Sequence, residues 1–386
     1  MSTPTAAGVP FLDLRAQSAE IRDEVLAGWT AVLDSAGFIG GPQVEAFERE
    51  YAEYIGVEHC IGVGNGTDAI ELALRALGVG SGDEVIIPAN TFVATAEAVW
   101  RTGARPVLVD VDAAHLLIDP AKVEAAITEK TAAIIPVHLY GQVAPVEAIE
   151  VIPAVVSRAI PIVEDAAQSQ GAHSLRGRAG AMGRIAATSF YPGKNLGAAG
   201  DAGAVLTNDS ELASIVRNLA AHGSSKKYVH DRPGFNSRLD AMQAVVLRAK
   251  LKRLEDWNIA RRAIAANYGR LLAPLADSRV LTLPSSRAGS TDVWHLYVVQ
   301  ADDRDRVLAD LNAAGIGAAI HYPTPVHLTG AFAHLGYGAG SFPVVEAAAD
   351  SILSLPMFPH LSEVSLGRVV DALAVVLERA TEAGVA

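Results

Sequence analysis

A single cysteine among 386 residues rules out an intramolecular disulfide. That residue, Cys60, lies in the apolar run His59-Cys60-Ile61-Gly62-Val63 and reads as a buried structural thiol. No uninterrupted apolar stretch approaches the length of a membrane span. Met1 to Pro10 also lacks a charged segment followed by an apolar one, so no signal peptide is expected. Basic charge is in deficit: 31 Lys and Arg stand against 43 Asp and Glu, for a formal net charge of -12. Such a balance repels nucleic acid and anionic membranes at long range, and a cytoplasmic enzyme or binding protein is the expectation. The dinucleotide fingerprint is missing, because Gly62 and Gly64 are followed by Thr67 where a third glycine belongs, and there is no Walker lysine.

What is present has an ordinary globular balance, with 50% hydrophobic and 19% charged residues. Ile21, Val25, Trp29, Val32 and Leu33 recur at helical spacing before Gly37, and a second helix is expected from Gln43 to Tyr54. From residue 59 short apolar runs alternate with helical segments. The expected strands are His59–Val63, Glu84–Pro88, Pro106–Asp110, Ala132–Val137, Ile160–Glu164, Ile185–Phe190 and Ala202–Thr207. Helices are expected at Thr67–Leu77, Phe92–Thr102, Pro120–Ile127 and Val146–Ser157. This alternation predicts an α/β fold with a mainly parallel seven-stranded sheet covered on both faces. A long helix from Asp240 to about Leu271 follows. Beyond it the pattern suggests a smaller α+β unit, with strands at Val293–Gln300 and Gly317–His321 and helices at Arg304–Ala314 and Glu363–Arg379. The resulting division is a helical arm over 1–36, a large α/β domain over 37–272 and a small α+β domain over 273–386.

Ligands of open α/β sheets bind beyond the carboxyl ends of the strands, so the residues following each strand are the place to look. After His59–Val63 comes Gly64-Asn65-Gly66-Thr67-Asp68, which is either a capped glycine turn or a helix start able to hold a phosphate. After Ile160–Glu164 comes Asp165-Ala166-Ala167-Gln168-Ser169. A carboxylate at the end of a buried strand needs a cation or hydrogen-bond donors; a protonated pyridine nitrogen is one such partner, an arginine or a helix cap another. Ser169 resembles a hydrolase nucleophile only loosely, since Ala167 replaces the first glycine of the elbow. After Ile185–Phe190 comes Tyr191-Pro192-Gly193-Lys194-Asn195. A lysine in that Pro- and Gly-shaped loop would lose solvation, and with it some basicity, becoming able to form an imine.

In Glu164–Gln168, Ser189–Asn195, Gly64–Ala69 and His138-Leu139-Tyr140-Gly141-Gln142, the chain resembles the nucleotide-sugar aminotransferases that use pyridoxal 5'-phosphate (PLP), a branch of fold type I. The likeness is greatest to the subgroup that aminates C3 of a TDP-linked keto-deoxysugar. The resemblance implies Lys194 as the Schiff-base lysine and proton carrier and Asp165 as the partner of the pyridine nitrogen. It implies Gln168 at the phenolic oxygen, Phe92 against the ring, and Gly66, Thr67, Asp68 and Ser189 around the phosphate. Asn236 would reach the phosphate of a partner subunit in a homodimer. Tyr191, Tyr228, Arg238, His321, Tyr322 and His327 fall in regions that contact the sugar nucleotide. L-glutamate is the implied amino donor, with pyridoxamine phosphate as the intermediate cofactor form. Gln170 stands where many relatives carry histidine, a departure that touches the choice of C3. A 4-keto-sugar or cyclitol aminotransferase is the nearest alternative, and a non-catalytic PLP-binding sensor the more distant one. A dehydrating branch carries histidine in place of the lysine, and Lys194 argues against it.

Overall fold

The computed structural model describes residues 8–278 and 280–383. All seven apolar runs of the large unit form strands, several shorter than the run that predicted them. One four-stranded set runs in the order His59–Val63, Gly203–Thr207, Ile185–Ser189, Val163–Asp165. A three-stranded set places Glu84–Pro88 between Arg105–Val109 and Thr131–Ile134. Parallel bridges Ile134 to Ile162 and Val137 to Asp165 join the two sets into one sheet. Gly203–Thr207 runs antiparallel to both neighbours, while the other pairings are parallel. Most of these strands are buried along nearly their whole length, which explains their unbroken apolar sequences. The result is the expected α/β architecture, a mainly parallel seven-stranded sheet with one antiparallel strand.

The arm helix, Leu14–Ser35, starts after Asp13, whose carboxylate accepts the Arg15 N–H at 2.9 Å. It lays Ile21, Val25 and Val32 on the helix Ala241–Leu251. Instead of one long helix from Asp240, the chain forms that helix and a second, Leu254–Asp277. Ile264, Tyr268 and Leu272 of the second helix join a separate apolar core with Tyr297, Val299 and Leu353. The helix thus crosses the expected domain boundary, and we propose that the two units share it as a common spine. No helix among the described residues is long and apolar enough to cross a membrane.

Three other expectations are corrected. Val146–Ser157 is not one helix but two, Val146–Glu150 and Pro153–Arg158, because Pro153 has no N–H to continue the first. The strand expected from Val293 begins only at Tyr297. Before it, Trp294 takes a left-handed φ of 48° and the Val293 and Leu296 N–H groups bond to the Gly141 and Tyr140 carbonyls. Gly317–His321 is not a strand: it pairs only through Ala319 and Ser354. Gly317 N–H instead donates to the Val9 carbonyl at 2.8 Å and Ala318 N–H to Asn312 Oδ1 at 3.2 Å.

Candidate active site

The carboxyl ends of five strands open into one cavity of about 530 Å³. Lys194 enters it from the loop after Ile185–Ser189. The loop closes on itself, with Lys194 N–H donating to the Tyr191 carbonyl at 2.9 Å and Ala198 N–H to the Phe190 carbonyl at 2.7 Å. A Cβ on Gly197 would stand 2.3 Å from the Pro192 carbonyl oxygen, so this closure requires glycine. Burial lowers the Lys194 amine to about 8, against the opposing pull of the Asp165 charge.

Asp165 lines the same cavity and is 4% exposed. Its Oδ2 accepts from Thr95 Oγ1 at 2.8 Å and its Oδ1 from the Ala167 N–H at 3.2 Å. Thr95 in turn is bonded to Thr91 Oγ1 at 2.8 Å. Despite these donors the Asp165 carboxyl is pushed above its ordinary range, because burial penalises the charged form more than the donors and Lys194 relieve it. A cationic ring nitrogen placed against it would remove that penalty. On the other face of the same strand, Glu164 is wholly buried and held below the ordinary carboxylate range. Against the cost of burial stand the His138 ring and the Gly180, Met182 and Gly183 N–H groups. This arrangement anchors the strand that carries Asp165.

The remaining walls fit PLP. Tyr140 N–H donates to Gln168 Oε1 at 2.7 Å, which fixes the amide and turns its NH2 toward Tyr322 and the cavity. A donor aimed that way suits a phenolate oxygen. Tyr140 does this from a left-handed backbone with φ 63°, and its hydroxyl donates to the His321 carbonyl at 2.6 Å. Phe92 borders the cavity and leans on Tyr322, ring centres 5.3 Å apart. The helix Gly66–Ala76 starts at the cavity wall, where the Gly66 and Thr67 N–H groups have no partner within the helix. Ser189 faces them across so narrow a gap that a Cβ on Gly66 would lie 2.6 Å from Ser189 Cβ. Two free N–H groups, a hydroxyl and a helix start form a phosphate cradle.

Of the residues read from the sequence, the cavity gathers Gly66, Thr67, Phe92, Asp165, Gln168, Ser189, Tyr191, Lys194, His321 and Tyr322. Asp68 does not line the cavity: its N–H is taken by the Asn65 side chain at 2.8 Å and its carboxylate by Ser237 and Arg101. His327 does not line it either: it is 2% exposed, packed edge-on to Phe342 and bonded to Glu346 at 3.0 Å. Asn236 and Arg238 alternate with the inward Ser237 and Leu239, so their side chains leave the surface of their own chain. Tyr228 is likewise exposed and lines no part of this cavity. Gln170 is buried beneath the Lys194 loop, donating to Thr188 Oγ1 and the Ser189 carbonyl, so it supports the floor without lining it. Ser169 is buried with its hydroxyl on the Ala166 carbonyl, and no nucleophile is presented there.

Sequence reasoning missed Thr95, His295 and the Phe11–Leu12 segment, all of which border the cavity. Thr95 was detectable, since Thr91 and Thr95 stand four apart at a helix start beside the cavity. His295 was hidden inside an expected strand.

A lysine weakened by burial, set across one cavity from a water-shielded carboxylate and beside a phosphate cradle, defines an enzyme of the PLP-dependent transferase class. Comparison with known proteins narrows the class. Residues 19–374 match the DegT/DnrJ/EryC1/StrS aminotransferase family, and the chain belongs to it. It is 49% identical over 366 residues to the "erythromycin biosynthesis sensory transduction protein EryC1" of Saccharopolyspora erythraea, covering 95% of this chain and 98% of that protein. It is 47% identical over 375 residues to the dTDP-3-amino-3,4,6-trideoxy-alpha-D-glucose transaminase of Streptomyces venezuelae, covering 97% and 98% of the two chains. Its fold matches the crystal structure of S. venezuelae DesV in complex with a ketimine intermediate, with a TM-score of 0.93 and 46% identity. That match covers 97% of this chain and 99% of the other.

Proposed function

We propose that the protein is a cytoplasmic PLP-dependent aminotransferase that moves the amino group of L-glutamate onto C3 of a TDP-linked 3-keto-deoxysugar. The observation that carries the reading is the pairing of Lys194 with Asp165 across one cavity, each shifted toward its neutral form by burial. PLP bound there would supply an electron sink for the carbon that loses its proton and a carbonyl group able to carry the amino group between substrates. Asp165 would hold a proton on the ring nitrogen, Gln168 would donate to the phenolic oxygen, and Gly66, Thr67 and Ser189 would hold the phosphate. Lys194 carries a proton between substrate carbon and cofactor, a task suited to an amine brought near neutral pH. The net reaction releases 2-oxoglutarate and an amino sugar.

The choice of a TDP-linked 3-keto-sugar is supported by end-to-end likeness to a transaminase of that description. Tyr191, His321 and Tyr322 line the cavity and would meet the sugar there. A homodimer is part of the proposal. Phe92 and Tyr191 are 49% and 59% exposed at the cavity mouth, and Asn236 and Arg238 point away from their own chain. Both features are expected where a second copy completes the site.

The test supplies L-glutamate with a TDP-linked 3-keto-6-deoxyhexose, and separately with its 4-keto isomer, and follows the aminated product by mass. Product from the 3-keto substrate alone is expected. Product from the 4-keto isomer alone would overturn the choice of carbon. The EryC1 relative's name keeps a sensory role in view, and PLP binding with no turnover on any keto-sugar would favour that role.

A further inference from the structure

Two backbone carbonyls determine the state of a histidine that the reading above does not use. Val293 O and Gln170 O can only accept hydrogen bonds. Asn195 Nδ2 lies 3.0 Å from Val293 O and 3.0 Å from Asn258 Oδ1, so both its hydrogens are spent. The Asn258 amide is fixed the same way, its Nδ2 donating to Gln170 O at 2.9 Å. Asn195 Oδ1 is therefore the atom that meets His295 Nδ1, at 3.2 Å, and it can only be donated to. His295 Nδ1 must carry a hydrogen. Burial, then the Lys194 charge, keeps the ring neutral, so Nε2 is left bare. Among the described residues no group bonds to Nε2, and the ring borders the cavity that Lys194 also borders.

The backbone on either side of His295 is held in place. Val293 and Leu296 N–H groups are tied to Gly141 and Tyr140. Arg261, 1% exposed, donates to the Trp294 and Met357 carbonyls at 3.1 and 3.0 Å. His321, the cavity's other imidazole, differs. Its Nδ1 meets Ser354 Oγ at 2.8 Å, a hydroxyl that can donate or accept, so its tautomer is left open.

We propose that His295 is a positioning residue for Lys194, fixed as the Nδ1–H tautomer so that its bare Nε2 stays open to accept a hydrogen bond from the lysine amine when that amine turns toward it in the shared cavity. A free amine turns about its last bond, and only some orientations aim the lone pair at a substrate carbon. Tying one N–H to Nε2 selects among them, which raises the fraction of amines able to take the proton. The kinetic consequence rests on the aminotransferase reading. The tautomer does not, because it follows from the chain's own hydrogen bonds.

The experiment records ring nitrogen resonances of 15N-histidine-labelled, cofactor-free protein at neutral pH, with His295 assigned by its loss in His295→Asn. A protonated Nδ1 and a bare Nε2 are expected; a protonated Nε2 would overturn the proposal. Since no cofactor or substrate is present, that failure is separate from any failure of the aminotransferase reading. In the loaded enzyme, His295→Asn keeps a donor toward Asn195 but loses Nε2. Its rate of amino transfer from L-glutamate should fall about tenfold with KM within about twofold, the split expected of a proton-transfer defect. His295→Gln, which can reach the cavity with an acceptor oxygen, should recover much of that rate. Wild-type rates in His295→Asn would contradict the positioning role.

Discussion

Alanine in place of Lys194 is expected to lower transamination by at least about 10⁴-fold while leaving the fold intact, since it removes both the imine-forming amine and the proton carrier. The expectation that the fold survives comes from the loop. Its closure uses the Tyr191 and Phe190 carbonyls and Gly197, none of which involves the lysine side chain. Removing a desolvated amine also removes a burial cost, and the one group left worse off is Asp165, whose charge Lys194 partly offsets. Thermal unfolding of the cofactor-free variant beside a glutamate-dependent turnover assay checks both halves. A folded variant with full turnover would take Lys194 out of the mechanism.

Asparagine in place of Asp165 should separate function from stability. Transamination is expected to fall by about 10²–10⁴-fold, because a neutral amide cannot hold the ring nitrogen protonated. Cofactor-free protein should nevertheless unfold at a higher temperature than the unmodified chain at neutral pH. The sign follows from the raised Asp165 pKa: the folded state holds this proton more tightly than the unfolded one. Its contribution is harmless at pH values below the ordinary carboxylate range. It becomes destabilising as pH rises through the folded pKa. The stability gain of Asp165→Asn should therefore be present at neutral pH and vanish in acid. Equal unfolding temperatures for both proteins at neutral pH would show that the burial cost is met by some other group.

The seven strands and the three strand ends near which Gly66, Asp165 and Lys194 lie could be read from the sequence because each depends on local pattern. Doubly covered strands write themselves as unbroken apolar runs, and the site follows their carboxyl ends. What could not be read depends on contacts distant in sequence. The Gly64–Asp68 turn reads as a capped helix start, but which side chain caps it is visible only in the fold, where Asn65 takes the Asp68 N–H and Ser237 takes the Asp68 carboxylate. His327 carries the polar look of a ligand contact, yet its partner Glu346 lies nineteen residues on and draws it into the core. His295 was assigned to a strand because Val293–Gln300 is apolar. Only Gly141, whose close approach leaves no room for a side chain, shows why that strand starts late.

The most direct test of the central claim is the visible absorption spectrum of the purified protein with PLP, before and after L-glutamate is added. A band from the imine on Lys194, lost on adding glutamate as a pyridoxamine band rises, is the predicted result. It would establish the first half of the reaction and leave the keto-sugar as the remaining substrate to confirm. The absence of any imine band, in protein shown to be folded, would contradict the account.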